Sequence, residues 1–236
     1  MQTMRESVPS CRSQANRPGE QFSSLPSPAM QDLTSLALPL SYPANAILFS
    51  EKDSARGVFV ILEGEVKLSI NSSDGRRLSL SIARKGEILG LASALSGGPY
   101  EMTAETLHTA KIAPIGRREF LNFLLRHPEA YQMLSEDLSR QYSTACEQLR
   151  TLGLAASAPE KLARLLLDWS QRGQDTEAGT RFRFSLTHEE IGEFIGASRE
   201  TVTRTLTTFR NRRLVTRQGA TLTIPNKSAL ENYARC

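Results

Sequence analysis

The apolar residues of this chain change their spacing once, near Ile115, and that change limits the fold more than any single motif. From about 45 to 115 they alternate: Val58, Val60 and Leu62, then Val66, Leu68 and Ile70, then Leu78, Leu80 and Ile82. A period of two puts one side of each strand on a core and half-exposes the other. Turn residues interrupt the runs at Gly57, Gly64, Asn71–Gly75, Gly86 and Gly97-Gly98-Pro99. Short strands at near-regular spacing predict a small antiparallel barrel or jelly roll. Beyond Ile115 the apolar residues recur every three or four positions, which is the period of helices. The expected class is therefore α+β, an antiparallel roll followed by helical segments.

Phe120, Phe123 and Leu124 predict a short helix ending near His127-Pro128. A longer helix is expected over about 129–154. Its Leu138, Tyr142, Ala145, Leu149 and Leu152 step by four and three, the seam of a two-helix coil. About 25 helical residues span roughly 37 Å, more than a small roll covers. The seam therefore predicts a homodimer, with packing against the chain's own roll as the alternative. A hinge is expected at Ala155–Pro159, with Pro159 in the first turn of a helix reaching about 172 and burying Leu162, Leu165, Leu166 and Trp169. Gly173–Thr180 reads as a loop and Arg181–Leu186 as a short strand. Residues 1–30 carry four prolines and six serines with little apolar content, so they read as a disordered tail.

Composition excludes several function classes. The 236 residues include 39% apolar ones, enough for real cores, but no apolar run near the roughly 20 needed to cross a membrane. No secretory leader is visible, so a cytoplasmic protein is expected. Cys11, Cys146 and Cys236 are scattered, and His108, His127 and His188 form no ligand pair. No metal site and no cofactor are expected, and neither is an enzyme on a cupin-like barrel, which would need clustered ligands where only His108 stands. Net charge is only +4, yet residues 196–217 hold six arginines against the single acid Glu200. Cationic charge confined to one segment points to a polyanion.

That segment also carries the clearest local signals. Thr187 with Glu190 three residues on forms a capping box, so a helix starts near 188 and buries Ile191, Phe194 and Ile195. Gly196 ends it, and Ser198 caps a second helix over about 199–212 that buries Val202, Leu206 and Phe209. Two capped helices around a tight glycine turn make a helix-turn-helix. At 100° per residue, Glu200, Arg204, Thr207 and Asn211 lie opposite Val202. Arginine can grip guanine N7 and O6, and glutamate can accept from cytosine N4. Arg199 lies in the first turn, off that stripe. Leu214–Thr216 and Thr221–Ile224 flank Arg217–Ala220 and predict a hairpin wing, placing Arg212, Arg213 and Arg217 near phosphates.

The run Thr187–Arg204 resembles the helix-turn-helix of the Crp–Fnr family, and Gly57–Val66 resembles its β-roll. The resemblance spans about 36–225 and implies four parts: a tail at 1–30, a β-roll sensor at 31–127, a dimerisation helix at 128–155 and a winged helix-turn-helix at 156–236. It implies a homodimeric, sequence-specific regulator of transcription that binds double-stranded DNA and works with RNA polymerase. It implies Arg199, Glu200 and Arg204 as base readers of a palindrome with TGTGA-like half-sites. Thr187, Ser198, Thr203, Thr207, Arg212, Arg213 and Arg217 are its auxiliary or phosphate contacts. In cyclic-nucleotide members a Glu after the Gly86–Gly90 turn holds the ribose and an Arg–Ser pair holds the cyclic phosphate; here those positions are Leu91, Glu101 and Met102. A carboxylate repels a phosphate, so the pocket at Gly90, Leu91, Glu101, Met102 and Cys146 is expected to be degenerate, with an effector other than cyclic AMP or none. His108 as a haem ligand and Cys146 as a redox thiol are lesser expectations. The competing reading is a cyclic-nucleotide-binding-like subunit acting on a partner protein, which leaves the arginine cluster unexplained.

Overall fold

The computed structural model describes residues 27–154 and 157–234. The expected tail up to residue 26, Ala155 and Ala156 of the expected hinge, Cys11 and Cys236 lie outside the described residues. Helix α1 (Ser27–Leu36) takes in the last residues of the stretch read as a tail. Its Ala29 and Leu33 are buried, four apart on one face. They join the apolar cluster beneath α1, which outweighs the Pro- and Ser-rich composition just upstream.

The roll that follows contains β1 (Leu40–Tyr42), β2 (Ile47–Phe49), β3 (Gly57–Glu63), β4 (Glu65–Asn71), β5 (Arg77–Arg84), β6 (Ile88–Leu89), α2 (Leu91–Ser96), β7 (Thr103–Thr106) and β8 (Ala110–Gly116). Its strands form two antiparallel four-stranded sheets, ordered β1-β8-β3-β6 and β2-β7-β4-β5. Between the sheets Phe49, Ile61, Val66, Tyr100 and Ile112 are buried. The buried Tyr100 hydroxyl bridges the Gly57 backbone, donating to its carbonyl at 2.8 Å and accepting from its N–H at 3.2 Å. The other side of the first sheet is covered by α1, α3 (Arg117–Arg126) and the first turns of α4 (Glu129–Leu154).

The second half of α4 stands clear of this packing. Leu134 is buried and Leu138 packs against the chain's own roll, so Leu138 belongs to that core in this structure rather than to a free seam. From Gln141 to Arg150 almost every residue is exposed, including Tyr142 at 73% and Leu149 at 69%.

The C-terminal unit comprises α5 (Ala158–Ser170), β9 (Gln174–Thr176), β10 (Gly179–Arg183), α6 (His188–Ile195), α7 (Arg199–Asn211), β11 (Thr216–Gln218), β12 (Thr221–Ile224) and α8 (Lys227–Ala234). Ser157 caps α5 and Pro159 occupies its first turn. Gly173–Thr180 is a β9–β10 hairpin rather than a loop, and the strand expected at 181–186 runs from 179 to 183. All four strands form one antiparallel sheet, β11-β12-β10-β9. Leu162, Leu166, Phe182, Phe184, Ile191, Val202, Phe209 and Leu222 fill the core between that sheet and the helices.

Candidate nucleic-acid interface

The turn between α6 and α7 is fixed by short-range chemistry. Thr187 Oγ1 accepts from the Glu190 N–H at 3.2 Å, and the Glu190 carboxylate accepts from the Thr187 N–H at 2.8 Å, closing the box at the start of α6. Gly196 ends α6 at φ +63°, in the left-handed region that side chains avoid. Gly192 allows the turn to fold back, since a Cβ there would lie 2.5 Å from the Ala197 carbonyl oxygen. The Ser198 hydroxyl then caps α7 by accepting from the Thr201 N–H at 3.2 Å.

Val202, Thr205, Leu206 and Phe209 anchor α7 in the core. Arg199, Glu200, Thr203 and Arg204 are exposed on it, and Thr207 is partly so. The Glu200 carboxyl is held below the usual carboxylate range, first by its own N–H at the start of the helix and then by Ser198. It is therefore an ionised acceptor at neutral pH, as pairing with an amino group of a base requires. Arg204 Nη2 lies 3.4 Å from Thr201 Oγ1, which steers its guanidinium along the helix. Thr203 Oγ1 donates to the Arg199 carbonyl and Thr207 Oγ1 to the Thr203 carbonyl, both at 2.9 Å, so both hydroxyl protons are engaged within the helix, and Thr207 Oγ1 also accepts from Arg210 Nη2 at 3.3 Å.

The remaining arginines are placed differently. Arg213 adopts φ +57° just beyond α7, where its N–H and that of Leu214 close the helix onto Arg210 and Phe209. Arg217 on β11 donates to the Gly219 carbonyl at the wing's tip. Arg212, expected beside Arg213 as a phosphate contact, turns instead onto α8, donating to the Tyr233 hydroxyl and stacking over its ring. His188, which the sequence did not single out, meets Thr203 Oγ1 at 2.8 Å. Partial burial lowers its pKa, and Arg217, Arg199 and Arg210 lower it further, so it lies in a strongly cationic field.

A second candidate region is a cavity of about 240 Å³ between the roll and α4. Gly90, Leu91, Glu101 and Met102 line it; Cys146, expected there, does not. The α4 stripe that faces the cavity is Asp137, Gln141, Thr144 and Gln148, and Cys146 falls on another side of the helix. Glu101 accepts from the buried Ser93 hydroxyl at 2.7 Å. Glu87 is pushed up to about 7 by burial and then by Asp137, despite the opposing Arg84. Arg140 and Arg172 are the cations of the lining, and Arg140 is already paired with Asp137 at 3.2 Å. Three acidic side chains, Glu87, Glu101 and Asp137, line a space where a cyclic phosphate would need cations, so the residues present do not fit that group. Among the described residues no cluster of three or more metal-ligating side chains exists.

Comparison with known proteins agrees with this geometry. Residues 39–127 match the cyclic nucleotide-binding domain family and residues 160–233 the Crp-like helix-turn-helix domain family. The transcriptional activatory protein AadR of Rhodopseudomonas palustris is 30% identical over 186 residues, 78% of this chain and 76% of that protein. A CRP-like cAMP-activated global transcriptional regulator of Mycobacterium tuberculosis is 28% identical over 208 residues, 88% of this chain and 92% of its own length. Among solved structures, FixK2 from Bradyrhizobium japonicum shares the fold at a TM-score of 0.74 and 22% identity, covering 84% of this chain and 96% of that one. A roll, a long helix and a capped helix-turn-helix with a basic wing thus occur together in one order, and the chain belongs to the Crp/Fnr family of transcription regulators, with a DNA-binding helix-turn-helix at its C-terminal end.

Proposed function

We propose that this chain acts as a homodimer on a palindromic DNA site of the TGTGA type, with Arg199, Glu200 and Arg204 reading bases. The carrying observation is the exposed stripe on α7, capped at its start and opposite a buried Val202–Phe209 face. Arg213 and Arg217 would supply phosphate contacts at the end of α7 and on the wing, with Thr187, Ser198, Thr203 and Thr207 as auxiliary contacts. Two copies related by a dyad would place their α7 helices about 34–36 Å apart, in successive major grooves. The exposed Tyr142, Ala145 and Leu149 on α4 supply an apolar stripe for the partner helix, and Leu152 extends it.

The effector, where there is one, would occupy the cavity beside Glu87, Glu101 and Asp137 and is not cyclic AMP. The fold itself does not dictate that choice. One relative is named cAMP-activated, and a structural neighbour from Xanthomonas campestris is described as c-di-GMP responsive. A regulator of this kind would work in the cytoplasm and meet RNA polymerase at promoters.

Fluorescence anisotropy on a TGTGA-type palindrome and a scrambled duplex tests the reading, run alongside sedimentation. Wild type should sediment as a dimer and prefer the palindrome. Tyr142→Glu with Leu149→Glu should give monomers that bind both duplexes weakly. A monomeric wild type, or equal affinity for the two duplexes, would count against it. Calorimetric titration with cyclic AMP should show no micromolar binding.

A further inference from the structure

The C-terminal unit touches the roll through a surface that the DNA-reading face does not use. Helix α6 lies against β5 with Glu193 turned toward the roll. Glu193 Oε2 accepts from Lys67 Nζ at 3.3 Å and from Ser79 Oγ at 2.8 Å. Lys67 also stands 3.8 Å from Glu105, whose carboxylate is held by Arg77 at 2.7 Å. Lys67 is 4% exposed and Ser79 3%, so the ammonium sits out of water and draws part of its compensation from the other unit.

Other contacts surround this one. Ile82 of β5 is buried in the core of the C-terminal unit, and Leu107 packs against the same core. The Arg84 guanidinium lies 5.1 Å from the centre of the Trp169 ring, and His108 faces Ser185 at 3.3 Å. Arg172, just beyond α5, lines the cavity of the roll. None of these contacts runs through α4. In this arrangement Arg199, Glu200 and Arg204 remain exposed, so docking leaves the reading face open.

We propose that Glu193 is a positioning residue for DNA recognition: by latching α6 onto Lys67 and Ser79 it sets the angle of α7 against the roll, and it keeps Arg172 as a wall of the sensor cavity. The proposal rests on the DNA reading above. A released C-terminal unit must give up orientational freedom when it binds, so unlatching weakens binding while leaving every base and phosphate contact in place. A molecule in the cavity that reaches Arg172 then touches the DNA-binding unit directly, as well as the wall supplied by α4.

Full-length Glu193→Gln, Lys67→Met and the double variant test this by anisotropy on the preferred duplex. Each single variant should weaken binding by about fivefold or more. The double should lose no more than the worse single, because the two groups act as a pair. The slope of log Kd against log salt should stay at the wild-type value, since every phosphate keeps its cation. Small-angle scattering should show a larger radius of gyration for each variant. Ser79→Ala, which removes one hydrogen bond and strands no charge, should weaken binding by about twofold and decides the matter if the other variants fail to fold. Unchanged or tighter binding by folded variants, additive losses, or a shifted salt slope would overturn the latch. A wild-type chain with no duplex preference would instead defeat the DNA reading, before any variant is compared.

Discussion

Arg213 holds a backbone conformation that glycine adopts with little strain. Its φ of +57° lies in the left-handed region, where a Cβ crowds the following carbonyl at a cost of about 1–2 kcal/mol. Its N–H and that of Leu214 close α7 onto the Arg210 and Phe209 carbonyls, so the conformation is imposed by the end of the helix and not by the side chain. Arg213→Gly should relieve that strain, less the roughly 0.5–1 kcal/mol by which glycine loosens the unfolded chain. The net expectation is stabilisation of about 0.5–1 kcal/mol, a rise of about 1–4 °C in Tm for a chain of this size. The guanidinium that disappears would neutralise a phosphate. Affinity should fall on all duplexes alike, and the salt slope should drop by about 0.9 for each phosphate left without its cation. Arg213→Lys should keep the strain and most of the affinity. Thermal unfolding and anisotropy between low and moderate salt give both readings. A Gly variant that melts lower, or that keeps the full salt slope, would refute the reasoning.

Three further outcomes are expected. Arg204→Ala should cost about 1–3 kcal/mol on the preferred duplex and relax discrimination at one base pair, whereas equal losses on preferred and scrambled duplexes would deny it a base contact. Gly192→Ala would drive a Cβ to 2.5 Å from the Ala197 carbonyl oxygen and should destabilise the C-terminal unit by about 1–3 kcal/mol in denaturant titrations; an unchanged midpoint would contradict the tight turn. Glu87, raised from 4.5 to about 7, holds its proton in the folded chain after the unfolded chain has released it. Its contribution is therefore fully present below about pH 4.5 and lost as pH rises through about 7, by an amount on the order of 3 kcal/mol. Glu87→Gln should flatten stability over that window, and a variant with the wild-type pH dependence would place the titration elsewhere.

What could be read ahead of the structure was local. The Thr187–Glu190 box, the Ser198 cap and the 129–154 helix depend on residues within one or two turns of each other, so their spacing alone reveals them. The β9–β10 hairpin escaped because Gln174–Thr176 is polar and fully exposed, with no apolar alternation to detect. Helix α8 escaped because its only buried residue is Leu230, although Asn226 Oδ1 accepting from the Ala229 N–H is a cap that the sequence does display. The polar stripe Asp137, Gln141, Thr144 and Gln148 was legible at helical spacing and would have set Cys146 aside from the cavity. Glu193 beside Lys67, Arg172 in the cavity wall, and Arg212 drawn onto Tyr233 are tertiary pairings, which no local pattern encodes.

The most direct measurement is enrichment of binding sites by the full-length chain from a pool of randomised duplexes, sequenced after several rounds. Two inverted copies of one short motif should emerge, centred about 10–10.5 base pairs apart, with Glu200→Ala and Arg204→Ala each losing preference at its own positions in the half-site. A pool that stays random, or a lone motif without its inverted copy, would contradict base reading by a dyad of α7 helices.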